Sequence, residues 1–521
     1  MPQSRVQPIK ELSLHNTWAM VFLAALALYA TTANRGVQWQ DSGWQQWRIV
    51  TGQWEHPLGL ALVHPLQYCL GRAAIRLTFL EPAFATTLLS SLAGAVAIAN
   101  IVGTLVILTR RLGPALIAGA ALMLAHTFWQ HATHTESYAI VAALLSAEWF
   151  CLARYATTCK GRYLLGLALC NGLGLANHLL AGLTTPVNVV VILWAIRQKH
   201  LSVRGGLAAI GLWLAGTLPY TVLVAYTFMQ TSDFGGTLRS AMFGIYSEQV
   251  LNVRPALRSL FLAGGFVLYN FPGLILPLAA YAALVRLSVP RVFTRAIKIQ
   301  LLIYLIFVVR YSISDQYTFF FPVYMLLALL AGLGLDRLAT LWPPVRRRAV
   351  FALAGLTVLW TPFVYMTACC VLESRGVFKA MVGNKPYRNG YQAFLIPWGV
   401  GQTYAADLNR QVARLAGEDG LVLVADNMIR FGLLYGQALG RFGDAVEIVL
   451  IQDKEDQTRI DELHERIQDC LAHDRPVVLV PQDRDHPYAP GIQGQWSRRE
   501  DVYLLTDWFP PAGLSTREAS P

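Results

Sequence analysis

Charge is what this chain has least of: 14% of its 521 residues are Asp, Glu, Lys or Arg, against roughly 25% in an ordinary soluble domain. Hydrophobic residues make up 55%. That balance excludes a water-soluble globular protein, and repeated apolar runs of about 18 or more residues imply many membrane-spanning helices. Cysteine is scarce as well. The seven cysteines include no C-x-x-C pair and no metal-ligand spacing, and the adjacent Cys369 and Cys370 are poorly placed to bond each other. No metal centre is expected. The formal net charge of +11 does not point to nucleic acid, because Lys and Arg cluster in short segments between the apolar runs. That is how membrane topology is encoded.

The first apolar run, 17–32, has the look of a signal peptide, but so many spans follow that an uncleaved first helix is the better reading. The polar start with Arg5 and Lys10 places the N-terminus in the cytoplasm. Spans are expected at 18–33, 83–108, 114–128, 137–152, 164–176, 183–196, 207–228, 260–285, 299–309, 319–335 and 350–371. That makes about eleven, with basic clusters at every inner connection. The run 260–285 is broken by Asn270, Pro272, Gly273 and Pro277, which is tolerated where neighbours satisfy the freed backbone. Between the first two spans, Arg72 and Arg76 share one helix face, as an interfacial helix would place them. Arg35, Arg48, Arg72, Arg76, Arg239, Arg254 and Arg258 fall on the outer side, a surplus that topology does not account for.

The composition turns soluble near residue 372, which divides the chain into a membrane domain, 1–371, and an extracytoplasmic domain, 372–521. In the second part, helices at 404–415, 431–439 and 460–471 alternate with strands at 421–425, 446–451 and 476–480. This predicts a small α/β domain with a mostly parallel sheet. It contains no GxGxxG and no P-loop, so no cofactor is assigned. The tail, 510–521, is expected to be disordered.

The loop 34–57 draws attention by its four tryptophans, Trp39, Trp44, Trp47 and Trp54. Such density beside a span predicts a segment at the membrane–water boundary. It holds Asp41, next to Ser42 and a Gly43 that lets the backbone turn, and closes on His56-Pro57. Asp41, His56, His64, His131, His134, Glu136, Asn177, His178 and Asp315 all fall at outer helix ends or in outer loops. The inner connections carry almost only Lys and Arg, with His200 and Asp336 as exceptions. Ionisable groups near membrane depth usually line a cavity, so one polar pocket on the outer face is expected, with Asp41 as the candidate base. Simpler roles stay open for each partner. Glu136 could favour a helix dipole, and Asn177-His178 could cap a helix. His131 and His134 have no third ligand in sight and suit hydrogen bonding better than metal. Arg72 and Arg76 could meet headgroups, or grip a phosphate bidentately.

These residues carry a resemblance. Asp41-Ser42-Gly43 followed by His56-Pro57-Leu58-Gly59 resembles the Asp-Ser-Gly … His-Pro-Pro-Gly signature of a polytopic membrane family that includes transmembrane protein O-mannosyltransferases. The likeness continues at Phe128-Trp129 with Glu136-Ser137-Tyr138, at 172–178, at Asp315 with Phe320-Phe321-Pro322, at Pro386-Tyr387-Arg388 and at Pro397-Trp398. Trp44 stands where that family often has Glu, and Leu58 replaces the second Pro. The resemblance implies a GT-C-type glycosyltransferase: a multi-helix enzyme of the cell inner (plasma) membrane with an outward-facing active site. It implies a polyprenyl-phosphate-linked sugar (mannose or another hexose) as donor, an extracytoplasmic protein, lipid or glycan hydroxyl as acceptor, and Asp41 as general base. The substrate-binding set is then His56, Arg72, Arg76, His131, His134, Glu136, Asn177, His178 and Asp315. The rival readings are a transporter or flippase for lipid-linked sugars, favoured by the broken span, and a non-catalytic scaffold in envelope glycan assembly.

Overall fold

The computed structural model describes residues 11–254, 257–311, 313, 315–451 and 457–510. Arg5 and Lys10, Ser312 and Ser314, and the tail from 511 lie outside the described residues, so the expectation of a disordered tail is left at residue 510.

The first span is α1 (Glu11–Thr32), followed by α2 (Gln40–Thr51) and α3 (Pro65–Leu77). Next comes α4 (Pro82–Thr109), 28 residues of almost unbroken apolar sequence. Its start is sharply set: Pro82 occupies the first turn, and the Glu81 side chain accepts from the Phe84 N–H at 3.0 Å. Then follow α5 (Leu112–Met123), α6 (His126–Ala132), α7 (Ser137–Thr158), α8 (Arg162–Asn177) and α9 (Thr185–Arg197). After them come α10 (Val203–Thr231), α11 (Phe234–Phe243), α12 (Ser247–Leu251), α13 (Leu257–Asn270) and α14 (Ile275–Leu284). The membrane part closes with α15 (Arg291–Arg310), α16 (Gln316–Phe319), α17 (Phe321–Leu341) and α18 (Pro344–Ser374).

Among the described residues, eight helices are long and apolar enough to cross a membrane, or up to ten if each of two bent pairs counts as one span. The chain is an integral membrane protein. The expected eleven exceed this count at 164–176, where α8 has only 16 residues. At 1.5 Å per residue that is about 24 Å, less than the ~30 Å apolar layer. The start of α7 and the end of α8 come together, with the Tyr138 and His178 rings 4.9 Å apart.

The bent pairs are α5–α6, at 69°, and α13–α14, at 113°. Pro272 and Gly273 cause the second bend, and Asn270 repairs it. Its Oδ1 accepts from the Thr127 N–H at 2.8 Å, and its Nδ2 donates to Phe266 O at 2.9 Å. A second polar knot ties α7, α8 and α9 deep in the bundle. The buried Glu148 accepts from Asn171, Thr184 and Asn188 at 3.1, 2.9 and 2.7 Å.

Beyond α18, two short helices, α19 (Lys379–Val382) and α20 (Gly390–Leu395), lead to α21 (Tyr404–Ala416). From there β1 (Leu421–Val424), α22 (Asn427–Ala438), β2 (Glu447–Leu450), α23 (Gln457–Ala472) and β3 (Val477–Val480) alternate as the hydrophobic pattern predicts. A hairpin of β4 (Gly494–Arg499) and β5 (Val502–Trp508) then adds two strands to the edge. The sheet order is β2-β1-β3-β5-β4. β1 runs parallel to β2 and β3, while β5 is antiparallel to both β3 and β4. The sheet is therefore mixed rather than mostly parallel.

This C-terminal layer is bolted to the loop after α1. Val37, Trp39 and Ala83 share one hydrophobic cluster with Leu408, Val412, Leu433 and Tyr435. Trp47 lies 5.6 Å from Phe431, and Trp39 lies 4.7 Å from Tyr404. Two of the four tryptophans, Trp39 and Trp44, are packed within the protein, each 4% exposed. Gly43 serves contact, not turning: a Cβ there would sit 2.3 Å from Gln38 O and 3.5 Å from Gly432 N. The turn is made three residues earlier, by Gln40 with a φ of 58°.

Candidate active site

Local hydrogen bonding fixes the start of α2. Gln38 donates from Nε2 to Thr87 Oγ1 on α4 at 2.9 Å and accepts the Thr135 N–H at Oε1, at 3.0 Å. Gln46, two turns along α2, accepts the Gln38 N–H at 2.9 Å and donates to Thr135 Oγ1 at 3.1 Å. These buried amides join α2, α4 and the loop before α7 into one piece. Two acids are thereby brought together: Ser42 Oγ donates to Glu136 Oε1 at 2.7 Å, one residue from Asp41. Asp315 arrives from the turn before α16, where its main-chain oxygen accepts from the Thr318 N–H and Oγ1 at 3.0 and 2.9 Å. Thr318 Oγ1 in turn donates to Tyr138 OH at 3.1 Å.

Asp41, Glu136 and Asp315 act on one another electrostatically. Asp41 opens to solvent, yet the cleft walls desolvate it, and Asp315 adds a like charge; its carboxyl is raised to about 6. Desolvation first, and then Asp41, raise Glu136 to about 8 against the hydrogen bond from Ser42. Asp315 is also raised, by desolvation. Near neutral pH, Asp41 therefore holds the negative charge while Glu136 keeps its proton. Tyr246 and Tyr317 border the same space, since their hydroxyls respond to Asp315 and Asp41. Arg388 faces Tyr317 from the outer segment, with its Nε buried and unpartnered.

The histidines form a second group beside the acids. His56 packs at a tilt against Trp44, ring centroids 4.0 Å apart, and accepts the Leu58 N–H at Nδ1, at 2.9 Å. His64, in the left-handed region with a φ of 50°, lies 2.7 Å from Asn177 O through Nδ1. A carbonyl only accepts, so His64 carries its proton on Nδ1. Its ring stacks on His178 at 4.9 Å. Burial lowers His56 to about 3 and His64 to about 4, so both are neutral. His131 is 5% exposed, with neither ring nitrogen hydrogen-bonded, and its Nδ1 lies 3.9 Å from Glu136 Oε2.

Other expected contacts go elsewhere. Asn177 Nδ2 donates to Ser137 O at 2.8 Å and ties α8 to α7. His134 bridges Gln130 O and Gln402 Oε1 at 2.9 and 3.1 Å, linking the loop to the outer segment. Arg72 spends its Nη1 on Ile49 O and Val50 O, at 2.6 and 3.0 Å, capping α2. Arg76 is exposed. Among the described residues, no group of three His, Cys, Asp or Glu is placed to hold a metal ion.

The cation in this region is Arg48. It is 0% exposed, and none of its three guanidinium nitrogens has a hydrogen-bond partner among the described residues. It lies between the Trp44 and Tyr68 rings, 4.4 and 5.1 Å from their centroids. Burial lowers it to about 9, and its charge helps to lower both His56 and His64. Seven residues past Asp41, it falls on the same face of α2, ~10 Å along the axis. That spacing is legible in the sequence once 40–51 is read as a helix instead of a loop.

Residues 49–202 match the family model of the protein O-mannosyl-transferase TMEM260 N-terminal domain. The match takes in His56 to His178 but not Asp41, Arg48 or Asp315. No curated protein matches the sequence significantly. Among solved structures, the chain is similar to ArnT from Cupriavidus metallidurans bound to undecaprenyl phosphate. The identity is 15%, the TM-score 0.59, and 94% of this chain and 97% of that one are covered. The same protein in the apo state gives 16% identity and a TM-score of 0.58, covering 94% and 98%. The arabinofuranosyltransferase AftD from Mycobacteria gives 15% and 0.50, covering 97% of this chain and 40% of that one. At such identities the likeness is one of fold. The chain therefore shares its fold with ArnT and AftD, and its residues 49–202 are similar to a protein O-mannosyl-transferase domain.

Proposed function

We propose that the protein transfers a sugar, mannose or another hexose, from a polyprenyl-phosphate donor to an acceptor hydroxyl, with Asp41 as general base. In this reading the N-terminus lies in the cytoplasm, the cleft opens on the outer face of the inner (plasma) membrane, and the outer domain from residue 372 handles acceptors. The observation that carries it is the convergence of Asp41, Glu136 and Asp315 from three separate segments, with the buried Arg48, its guanidinium without a hydrogen-bond partner among the described residues, two turns along the helix that bears Asp41. The ArnT structure holds undecaprenyl phosphate, a ligand of the same class.

The acceptor oxygen attacks the anomeric carbon and gives its proton to Asp41. The bond from that carbon to the phosphate oxygen breaks, and its electron pair leaves with the polyprenyl phosphate. Arg48 meets that growing charge, the role the sequence suggested for Arg72 and Arg76. Protonated Glu136 donates a hydrogen bond to the sugar or phosphate, and neutral His56 and His178 line the channel. General-base assistance contributes about 10²–10⁴-fold. Asp41→Asn is expected to lose transfer by that factor while inserting and melting normally. The assay is incorporation of labelled sugar from a polyprenyl-phosphate donor; wild-type turnover in Asp41→Asn sinks the assignment. Vesicles in which donor crosses the bilayer unconsumed would favour a flippase instead.

A further inference from the structure

The carboxyl cleft leaves arginines unused on the side where topology does not ask for them. We propose that a second site, where the outer domain meets the start of α4, binds the phosphate-bearing headgroup of an anionic lipid. A cleft of about 570 Å³ is lined by Ala406, Asn409, Arg410, Ala413, Arg414 and Arg441. The first five recur every three to four residues and form one stripe of α21. The two alanines leave a shallow floor, so a headgroup can approach the helix between the guanidinium groups.

The depth of this cleft is set by Arg441, whose Nη2 bonds Glu81 Oε1 at 3.0 Å. Glu81 caps α4, so the cleft stands where α4 enters the apolar layer. Immediately before it, Leu77 and Phe79 are 82% and 109% exposed, with no protein cover. Side chains of that kind at a span's end belong in acyl chains, which brings lipid headgroups level with the arginines. Arg35, from the loop after α1, lies with its guanidinium 5.9 Å from the ring of Phe84 on the first turn of α4.

The charge balance favours an anion. Arg410, Arg414 and Arg441 supply three positive charges. Asp407, paired with Arg410, and Glu81, paired with Arg441, return two, which leaves an excess of one. Arg414 is exposed and has no acidic partner among the described residues. Asn409, 4% exposed, has an Oδ1 without a hydrogen-bond partner, an acceptor suited to a headgroup hydroxyl or ammonium.

The test is lipid retention by the purified full chain in native mass spectrometry, with phosphatidylglycerol and phosphatidylcholine as probes. Wild type should retain phosphatidylglycerol preferentially, undisturbed by equimolar inorganic phosphate. Arg410→Gln/Arg414→Gln should weaken retention roughly thirtyfold, the loss expected for two basic residues at an anionic surface. Arg414→Gln, which breaks no ion pair, should give part of that loss at an unchanged melting temperature. Arg466→Gln on α23 should have no effect. Equal retention of phosphatidylcholine, displacement by inorganic phosphate, or wild-type retention in both Arg414 variants would overturn the proposal. None of these readouts depends on sugar transfer.

Discussion

Replacing Asp315 with Asn removes a negative charge without touching the proposed base. Asp41 sits at about 6 rather than 3.8, first because the cleft desolvates it and second because Asp315 repels its ionised form. The rise is about two pH units. Desolvation holds the larger share, so Asp315 accounts for less than about one pH unit. At pH 7 about nine-tenths of Asp41 is ionised; at pH 5 only about one-tenth is, and transfer should fall about tenfold between them. In Asp315→Asn the acid limb of the kcat/KM profile should move to lower pH, toward 5, and activity at pH 5 should rise relative to that at pH 7. The direction is fixed, because relieving a like charge can only favour ionisation. The assay is transfer of labelled sugar from a polyprenyl-phosphate donor between pH 4.5 and 9. An unmoved acid limb, or one moved upward, would refute Asp41 as the titrating base.

Glu136→Gln should abolish the alkaline limb near pH 8 while leaving the acid limb in place, because only the protonated acid donates its hydrogen bond. Folded Glu136 binds its proton more tightly than the unfolded chain does, so wild-type stability falls as pH rises from about 4.5 through 8. Glu136→Gln should therefore melt higher than wild type at pH 9, by a few °C on the scale of ~1 kcal/mol per several degrees, and not at pH 5. Arg48→Met should keep or raise the melting temperature, since it replaces an unpaired buried charge by a similar volume. It should also weaken undecaprenyl phosphate binding about 10–100-fold by titration, the worth of a charge-assisted contact. Gly43→Ala should cost about 1–3 kcal/mol in thermal unfolding, through the clash with Gln38 O.

The spans were readable because apolar length is a one-dimensional signal, as α4 and α17 demonstrate. So were α21, β1, α22 and β3, whose patterning alternates cleanly. The β4–β5 hairpin escaped because Gly494–Arg499 is polar and sits on an edge, where no buried face imposes a pattern. The helix α2 escaped for the reverse reason. Its residues Asp41-Ser42-Gly43-Trp44-Gln45-Gln46 look like a wet loop, and what buries them is α22, almost four hundred positions away. Arg48 was hidden by expectation, because an unpaired guanidinium in a protein interior is costly enough to be discounted in advance. The acids were found because ionisable residues gathered on one side, but their order of proton affinity is written only in three dimensions.

The packing of Val37, Trp39 and Ala83 into the core of the soluble layer carries a consequence for anyone cutting the gene. A chain stopped after Ser374 would keep every span, yet strip the cover from the short helix that presents Asp41. The hydrophobic side chains on that helix would then face water, and its first turn would lose the neighbour that holds it in place. Part of the packing around that helix belongs to the C-terminal layer, so, under the proposed function, an exchange of C-terminal layers should disturb sugar transfer as well.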